Sequence, residues 1–184
     1  MKSNNKKKSN NKRLAEIFGT HAVHAALQNP SRKHEKLFIS HHQRKILGKG
    51  IEKLVSDINE LHNKEMFKMF GNESTHQGIV LRTSKLQQPS LQEFINDTYK
   101  NETDVVVMLD QVTDPNNIGS IMRSCSLFNS KSIIVSNDNA PDVTATMAKA
   151  ASGALESVNY ISVVNLSRAM IQFKKNNYWI YGFD

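Results

Sequence analysis

Apolar and polar positions fall into blocks whose period changes along the chain. Thr20 can cap a short helix through Val23, Ala26 and Leu27, which Asn29-Pro30 stops. Lys36-Leu37-Phe38-Ile39-Ser40 predicts a strand. Leu47, Ile51, Leu54, Val55, Ile58 and Leu61 recur at helical spacing and predict an amphipathic helix over Lys49–His62. Glu65–Phe70 and Gly78–Arg82 predict two further strands, so a small α/β unit ends near Thr83. Met66, Phe67, Met69 and Phe70 can be read either as core packing or as an aromatic platform for RNA.

Residues 84–103 are polar around one helix, which carries the capping box Ser90-x-x-Glu93 and the apolar residues Leu91, Phe94 and Ile95. This stretch predicts a linker. From Asp104 the texture changes. Val105-Val106-Val107-Met108-Leu109 is an unbroken apolar run, the pattern of a strand buried on both faces of a parallel sheet. A helix over Ile118–Phe128 follows, then a strand at Ile133-Ile134-Val135 and a helix over Val143–Ala150. A strand over Val158–Val164, a helix over Leu166–Lys174 and a last strand at Tyr178–Tyr181 complete the series. Alternating strands and helices predict a parallel α/β sheet. The division expected is a tail at 1–13, a domain at 14–83, a linker at 84–103 and a second α/β domain at 104–184.

Composition adds less than its distribution. The chain has 184 residues and a net charge of +7, with 39% hydrophobic and 22% charged residues, proportions that suit a globular protein. No run of ~18 apolar residues predicts a membrane span. Met1–Arg13 lacks the apolar core of a secretion signal, so the expected location is the cytoplasm. Six of the positive charges (Lys2, Lys6, Lys7, Lys8, Lys12 and Arg13) crowd the first thirteen residues without an acid. Such a tail either solubilises the chain or grips RNA phosphates through Lys6, Lys7, Lys8, Lys12 and Arg13 in a salt-sensitive way. The single cysteine, Cys125, excludes an internal disulfide and a C-x-x-C metal pair. His21-x-x-His24 and His41-His42 lack supporting ligands, so no metal site is expected.

The densest chemistry is the run Asp110-Gln111-Val112-Thr113-Asp114-Pro115-Asn116-Asn117-Ile118-Gly119-Ser120-Ile121-Met122-Arg123. It predicts a strand end, a turn and a helix start, the place where open α/β sheets bind ligands. Asp114-Pro115-Asn116 favours a turn and Asn117 suits the N-cap. Gly119 allows another backbone or a ligand to come close. Ile118, Ile121, Met122, Cys125 and Phe128 are expected to form the buried stripe, and Arg123 lies ~140° round from Ile118.

This run resembles motif 1 of the SpoU (TrmH-like) RNA ribose 2′-O-methyltransferases, Asp-Pro-x-Asn-x-Gly-x-x-x-Arg, matched at Asp114, Pro115, Asn117, Gly119 and Arg123. Phe18-Gly19-x-His21-Ala22-Val23, His76-Gln77-Gly78-Ile79, Ser152-Gly153-Ala154-x-Glu156 and Asn165-Leu166 extend the resemblance over almost everything after the tail. The wording is nearest to bacterial two-domain enzymes that modify a guanosine of 23S rRNA. The resemblance implies a small N-terminal α/β RNA-substrate domain followed by an α/β-knot (SPOUT) parallel-sheet catalytic domain. It further implies a homodimer, an RNA partner (rRNA rather than tRNA), and methyl transfer from S-adenosylmethionine to a ribose 2′-hydroxyl. Asn117, Arg123 and Glu156 match catalytic positions of the family. Guanidinium stays protonated, so Arg123 is better suited to hold a phosphate and stabilise developing alkoxide charge than to act as a base. Asn117 would orient neighbours, and Glu156 would orient Arg123 or form a surface ion pair. Two later cofactor motifs of the family, Gly-x-Glu-Gly-x-Gly and Ser-Leu-Asn-Val, do not occur in this sequence. The expectation is a catalytic domain that stops before the knot, with no cofactor-binding residues and no binding of S-adenosylmethionine by this chain. Two alternatives stand beside an active enzyme: an inactive RNA-binding remnant, or one half of a split enzyme.

Overall fold

The computed structural model describes residues 14–48, 50–98, 104–138 and 140–183. The basic tail, with Lys6, Lys7, Lys8, Lys12 and Arg13, lies outside the described residues. Two sheets organise the molecule. The first contains β1 (Leu14–Phe18), β2 (His34–Ser40), β3 (Ile58–Leu61) and β4 (Ile79–Ser84) in the order β1-β4-β2-β3. β4 runs antiparallel to β1 and β2, and β3 runs parallel to β2. Between them come α1 (Thr20–Gln28), α2 (His41–Leu47), a 3-10 turn at Ile51–Lys53, α3 (Asn63–Phe70) and the single turn α4 (Glu73–His76).

The second sheet is wholly parallel, in the order β5 (Val106–Leu109), β6 (Ser132–Ser136), β7 (Asn159–Val163). Its helices are α5 (Leu91–Thr98), α6 (Pro115–Leu127), α7 (Ala145–Ala151) and α8 (Leu166–Lys175). On one face, Phe94 and Ile95 of α5 and Phe173 of α8 pack on Ile134 and Ile161. On the other, Ile118, Met122 and Cys125 of α6 and Met147 and Ala151 of α7 cover Ile133 and Val135. That layer does not end there. The same core continues into Ile17, Val23, Ala26, Leu37 and Leu81 of the first sheet and α1. The α6–α7 layer therefore lies between the two sheets, and burial of this shared apolar surface holds them together.

The mixed α/β class with a parallel sheet agrees with the expectation from sequence, and so do α1, β2, β4, the capped α5, and most of the second half. Four local expectations are corrected. The helix expected over Lys49–His62 is instead a 3-10 turn and strand β3, because Gly48 and Gly50 take φ of 71° and 127°, which stops α2. The strand expected over Glu65–Phe70 is α3, started by a capping box between His62 and Glu65. The last strand, Tyr178–Tyr181, is not formed: Tyr178 packs edge-on against Phe173 while Trp179 and Tyr181 stay exposed, with no partner strand among the described residues. β5 is an edge strand whose residues are half-buried, so burial on both faces belongs to β6. β1 was not expected at all, since its five residues follow directly on the basic tail.

Candidate functional site

The loop after β5 leads into α6 through a cap. Asp114, not Asn117, is the N-cap: its carboxylate accepts from the Asn116 backbone N–H at 2.9 Å and from the Asn116 amide at 3.2 Å. Pro115 occupies the first turn, where a missing N–H does no harm. Asn117 is thereby moved into the helix and left exposed. Gly119 serves the backbone, not a ligand. A Cβ there would meet the Met147 carbonyl oxygen and the Ala150 methyl at 2.6 Å each, so α6 and α7 cross at this point because the residue has no side chain.

Arg123 is exposed, one to two turns further along α6. It stands ~9 Å along the axis from Asn117 and ~120° round, so the pair bounds one polar face. Asn116, Ser120 and Ser124 fill that face, and the Ser124 hydroxyl donates back to the Ser120 carbonyl at 3.3 Å. Neither Asn117 nor Arg123 makes a side-chain hydrogen bond or ion pair among the described residues. Both are available to an incoming anion. The face begins at the carboxyl ends of β5 and β6, the edge where parallel sheets receive ligands.

Glu156 is elsewhere, and the expectation that it orients Arg123 is corrected. It closes the 3-10 turn Ala154–Glu156 and points at the first sheet's unit. One oxygen accepts from Asn29 Nδ2 at 2.7 Å and Arg32 Nε at 2.8 Å, and the other from Arg32 Nη2 at 2.7 Å. Arg32 also donates to the Ser84 carbonyl at 2.7 Å. The pair is buried, with side chains 2% and 10% exposed. Nearby, His34 Nε2 lies 3.3 Å from the Leu27 carbonyl, and burial, with Arg32 close by, pushes its pKa down. Arg32 and Asn29 carried no signal in the sequence, where Asn29-Pro30 read only as a helix stop.

The remaining resemblance motifs are joints as well. Gly19, at φ 88°, lies under Gln77, whose Oε1 accepts from the Thr20 N–H at 3.0 Å. Gly78 would place a Cβ 2.5 Å from Ser40 Oγ. His76 is buried: its Nδ1 accepts from the Gly78 N–H at 2.9 Å, and Nε2 lies 3.2 Å from the Gly71 carbonyl. Gly153, at φ 99°, fits against the Ala25 methyl of α1. Asn165 caps α8 by accepting from the Arg168 N–H at 2.9 Å. No group of His, Cys, Asp or Glu residues suited to a metal ion occurs among the described residues, and none of their helices is long and apolar enough to cross a membrane.

A cleft of about 1270 Å³ separates the units, lined by Lys33, His34, Lys85, Gln88, Ser157 and Asn159 among others. It sits at the amino end of β7, the edge opposite Asn117. A second cavity, of about 610 Å³, runs between β1 and the start of α7. Neither is lined by Asn117 or Arg123. No residue of the polar face of α6 lines either cavity.

A parallel sheet with a free Asn and Arg on the helix that starts at its ligand-receiving edge, backed by a mixed-sheet unit, has counterparts among RNA-modifying enzymes. Residues 104–184 match the SpoU rRNA methylase family, and residues 17–89 match the RNA 2′-O ribose methyltransferase substrate-binding family. The 23S rRNA (guanosine-2′-O-)-methyltransferase RlmB of Escherichia coli is 32% identical over 169 residues, which cover 90% of this chain and 70% of that protein. An uncharacterized tRNA/rRNA methyltransferase of Synechocystis is 30% identical over 172 residues, 90% of this chain and 44% of that protein. Among solved structures, an rRNA methyltransferase from Sinorhizobium meliloti superposes with a TM-score of 0.67 at 19% identity, over 92% of this chain and 61% of that one. The SpoU methyltransferase AviRb from Streptomyces viridochromogenes, in complex with AdoMet, gives 0.65 at 19% identity, over 93% and 63%. The chain belongs to the SpoU RNA methylase family.

Proposed function

We propose that this chain acts in ribose 2′-O-methylation of RNA, with a guanosine of 23S rRNA as the target and S-adenosylmethionine as the methyl donor. Residues 14–83 would hold the RNA, residues 84–103 join the units, and residues 104–184 present the catalytic face in a homodimer. The observation that carries this is the polar face of α6. Asp114, Pro115 and Gly119 are consumed in building the helix, which leaves Asn117 and Arg123 free on a face that starts at the sheet's ligand-receiving edge. Arg123, permanently cationic, would grip a phosphate and stabilise charge developing on the ribose oxygen. Asn117 would fix the approach by hydrogen bonds. The test is to map ribose methylation across 23S rRNA in cells that carry, lack, or encode Arg123→Ala in the gene. One 2′-O-methylguanosine is expected to disappear in the last two; an unchanged map refutes the proposal.

A second reading starts from the two cavities between the units, neither of which is lined by Asn117 or Arg123. In it the chain recognises RNA without transferring a methyl group, or does so only beside a separately encoded partner. Calorimetry distinguishes them: saturable binding of S-adenosylmethionine to the isolated chain sinks this alternative.

A further inference from the structure

The two faces of the first sheet are unlike. One is sealed by α1 and the α6–α7 layer, while the other is covered only in part, by α3. Met66 and Phe70 hold α3 against Phe38 and Val80, with the Phe70 ring edge-on to Phe38 at 5.0 Å. Phe67 and Met69 flank that buried stripe and are 62% and 52% exposed. The four residues that could all have been core are therefore split between core and surface. Phe67 and Met69 lie ~200° apart around the helix, so they do not merge into the single apolar patch a protein partner would need. What separates them is cationic. Lys64 and Lys68 project from the exposed side and have no carboxylate partner among the described residues. The helix's own acid, Glu65, is occupied in accepting from the His62 N–H at 3.0 Å.

A second observation comes from the uncovered part of the same face. Lys36 and Arg82 are directly opposite each other in the β2–β4 register. Both lie over the Phe38 ring, at 5.6 and 5.3 Å from its centroid. Like charges facing each other across an antiparallel pair repel. Their carboxylate partners approach from the outer sides: Asp57 to Lys36 at 3.1 Å and Glu16 to Arg82 at 2.7 Å. Each cation is thus paired with one carboxylate, and the ammonium of Lys36 and Nη1 of Arg82 keep N–H donors that a phosphate could use.

We propose that the α3 side of the first sheet is the RNA-docking face of this chain. An unstacked base lies on Phe67, and backbone phosphates are taken by Lys64, Lys68 and the Lys36–Arg82 pair. A face that sets one exposed aromatic ring among cations suits single-stranded or loop RNA, whose bases stack and whose phosphates need neutralising. The inference rests on the proposed RNA function and locates its recognition surface.

The test uses the full chain and a fluorescein-labelled RNA hairpin with a single-stranded loop, followed by anisotropy over a range of salt. Phe67→Ala is expected to weaken binding about 5- to 150-fold, the range for one base–aromatic stack. Lys64→Gln with Lys68→Gln should reduce the log–log salt slope by about 1.4, the share of two single-strand phosphates. All three side chains are exposed, so melting temperatures should match the parent chain and exclude misfolding. Variants that bind like the parent, in affinity and in salt slope, overturn the docking face. So does a result in which only deletion of residues 2–13 lowers affinity, or in which the variants alter self-association instead of RNA binding. A parent chain that binds no RNA refutes the proposed function as well, and the two failures are thereby told apart.

Discussion

Truncating Glu156 is expected to be among the most damaging single changes in this protein, for a reason unrelated to catalysis. Its carboxylate accepts three short hydrogen bonds, two from Arg32 and one from Asn29, within a pair that is almost fully buried. Glu156→Ala removes them all and strands the Arg32 guanidinium, which keeps only the Ser84 carbonyl. Breaking a buried pair by deleting one partner typically costs about 3–5 kcal/mol, most of it the penalty of the uncompensated charge. For a chain of this length, each kcal/mol moves the melting temperature by about 2–4 °C, so a drop of about 6–20 °C is expected. Urea unfolding of the parent, Glu156→Ala, Arg32→Ala and the double alanine variant completes a thermodynamic cycle. The double variant should lose less than the sum of the single ones, because each single change already forfeits the shared interaction. Arg32→Met with Glu156→Leu should recover most of the loss, since an apolar pair leaves no charge behind. A Glu156→Ala protein within about 1 kcal/mol of the parent would refute the assignment of Glu156 to a stabilising buried contact between the units.

Three further outcomes follow from the same geometry. Gly119→Ala forces a methyl to within 2.6 Å of the Met147 carbonyl, so α6 and α7 must part; a loss of at least about 2 kcal/mol in urea unfolding is expected, and a neutral result contradicts the close crossing. Asp114→Ala removes the cap of α6 and should cost about 0.5–2 kcal/mol, whereas Asn117→Ala should cost almost nothing in stability if it is no cap. His34 is held below its ordinary value of 6.5, first by burial and then by Arg32, against opposing contributions from Leu27 and Glu156. The unfolded chain then takes up a proton that the folded chain resists, so stability should fall as pH drops from about 6.5 toward the folded value. Denaturation at several pH values, compared with His34→Gln, checks this; parallel pH profiles would contradict it.

How much of this was legible in the sequence depended on whether an element's reason for existing was local. α5 could be placed from Ser90 and Glu93, whose side chains make both bonds of the capping box. β6 was legible because a run buried on both faces needs no neighbour to explain it. The stretch from 47 to 61 misled because three short elements in succession happened to space their apolar residues like one helix. Leu47 closes α2, Ile51 and Val55 are core residues around the turn, and Ile58 and Leu61 belong to a strand whose partner, β2, lies about twenty positions back. The two glycines at positive φ, Gly48 and Gly50, were the available warning. The Glu156–Arg32 contact spans 124 positions, and no local pattern reports a pairing at that distance.

The motif residues divide by what they touch. Five identities made the run Asp114–Arg123 resemble a catalytic motif, yet the structure spends three of them on architecture: Asp114 as cap, Pro115 in the first turn, Gly119 as the crossing point. Gly19, Gly78 and Gly153 are likewise fixed by contacts with Gln77, Ser40 and Ala25. Glu156, from the same vocabulary, is bound on both oxygens. A side chain already committed to three hydrogen bonds in a buried pair can turn toward a substrate only by breaking what holds it, at a cost of several kcal/mol. Asn117 and Arg123 face no such cost, being exposed and uncommitted, and that difference selects them as the pair to test first. Exchanging Arg123 for Lys keeps the charge and discards the planar fork, so RNA methylation should fall steeply while urea stability stays within about 0.5 kcal/mol. An Arg123→Lys protein that methylates like its parent would show that charge alone suffices at this position, and that the fork contributes nothing to holding the phosphate.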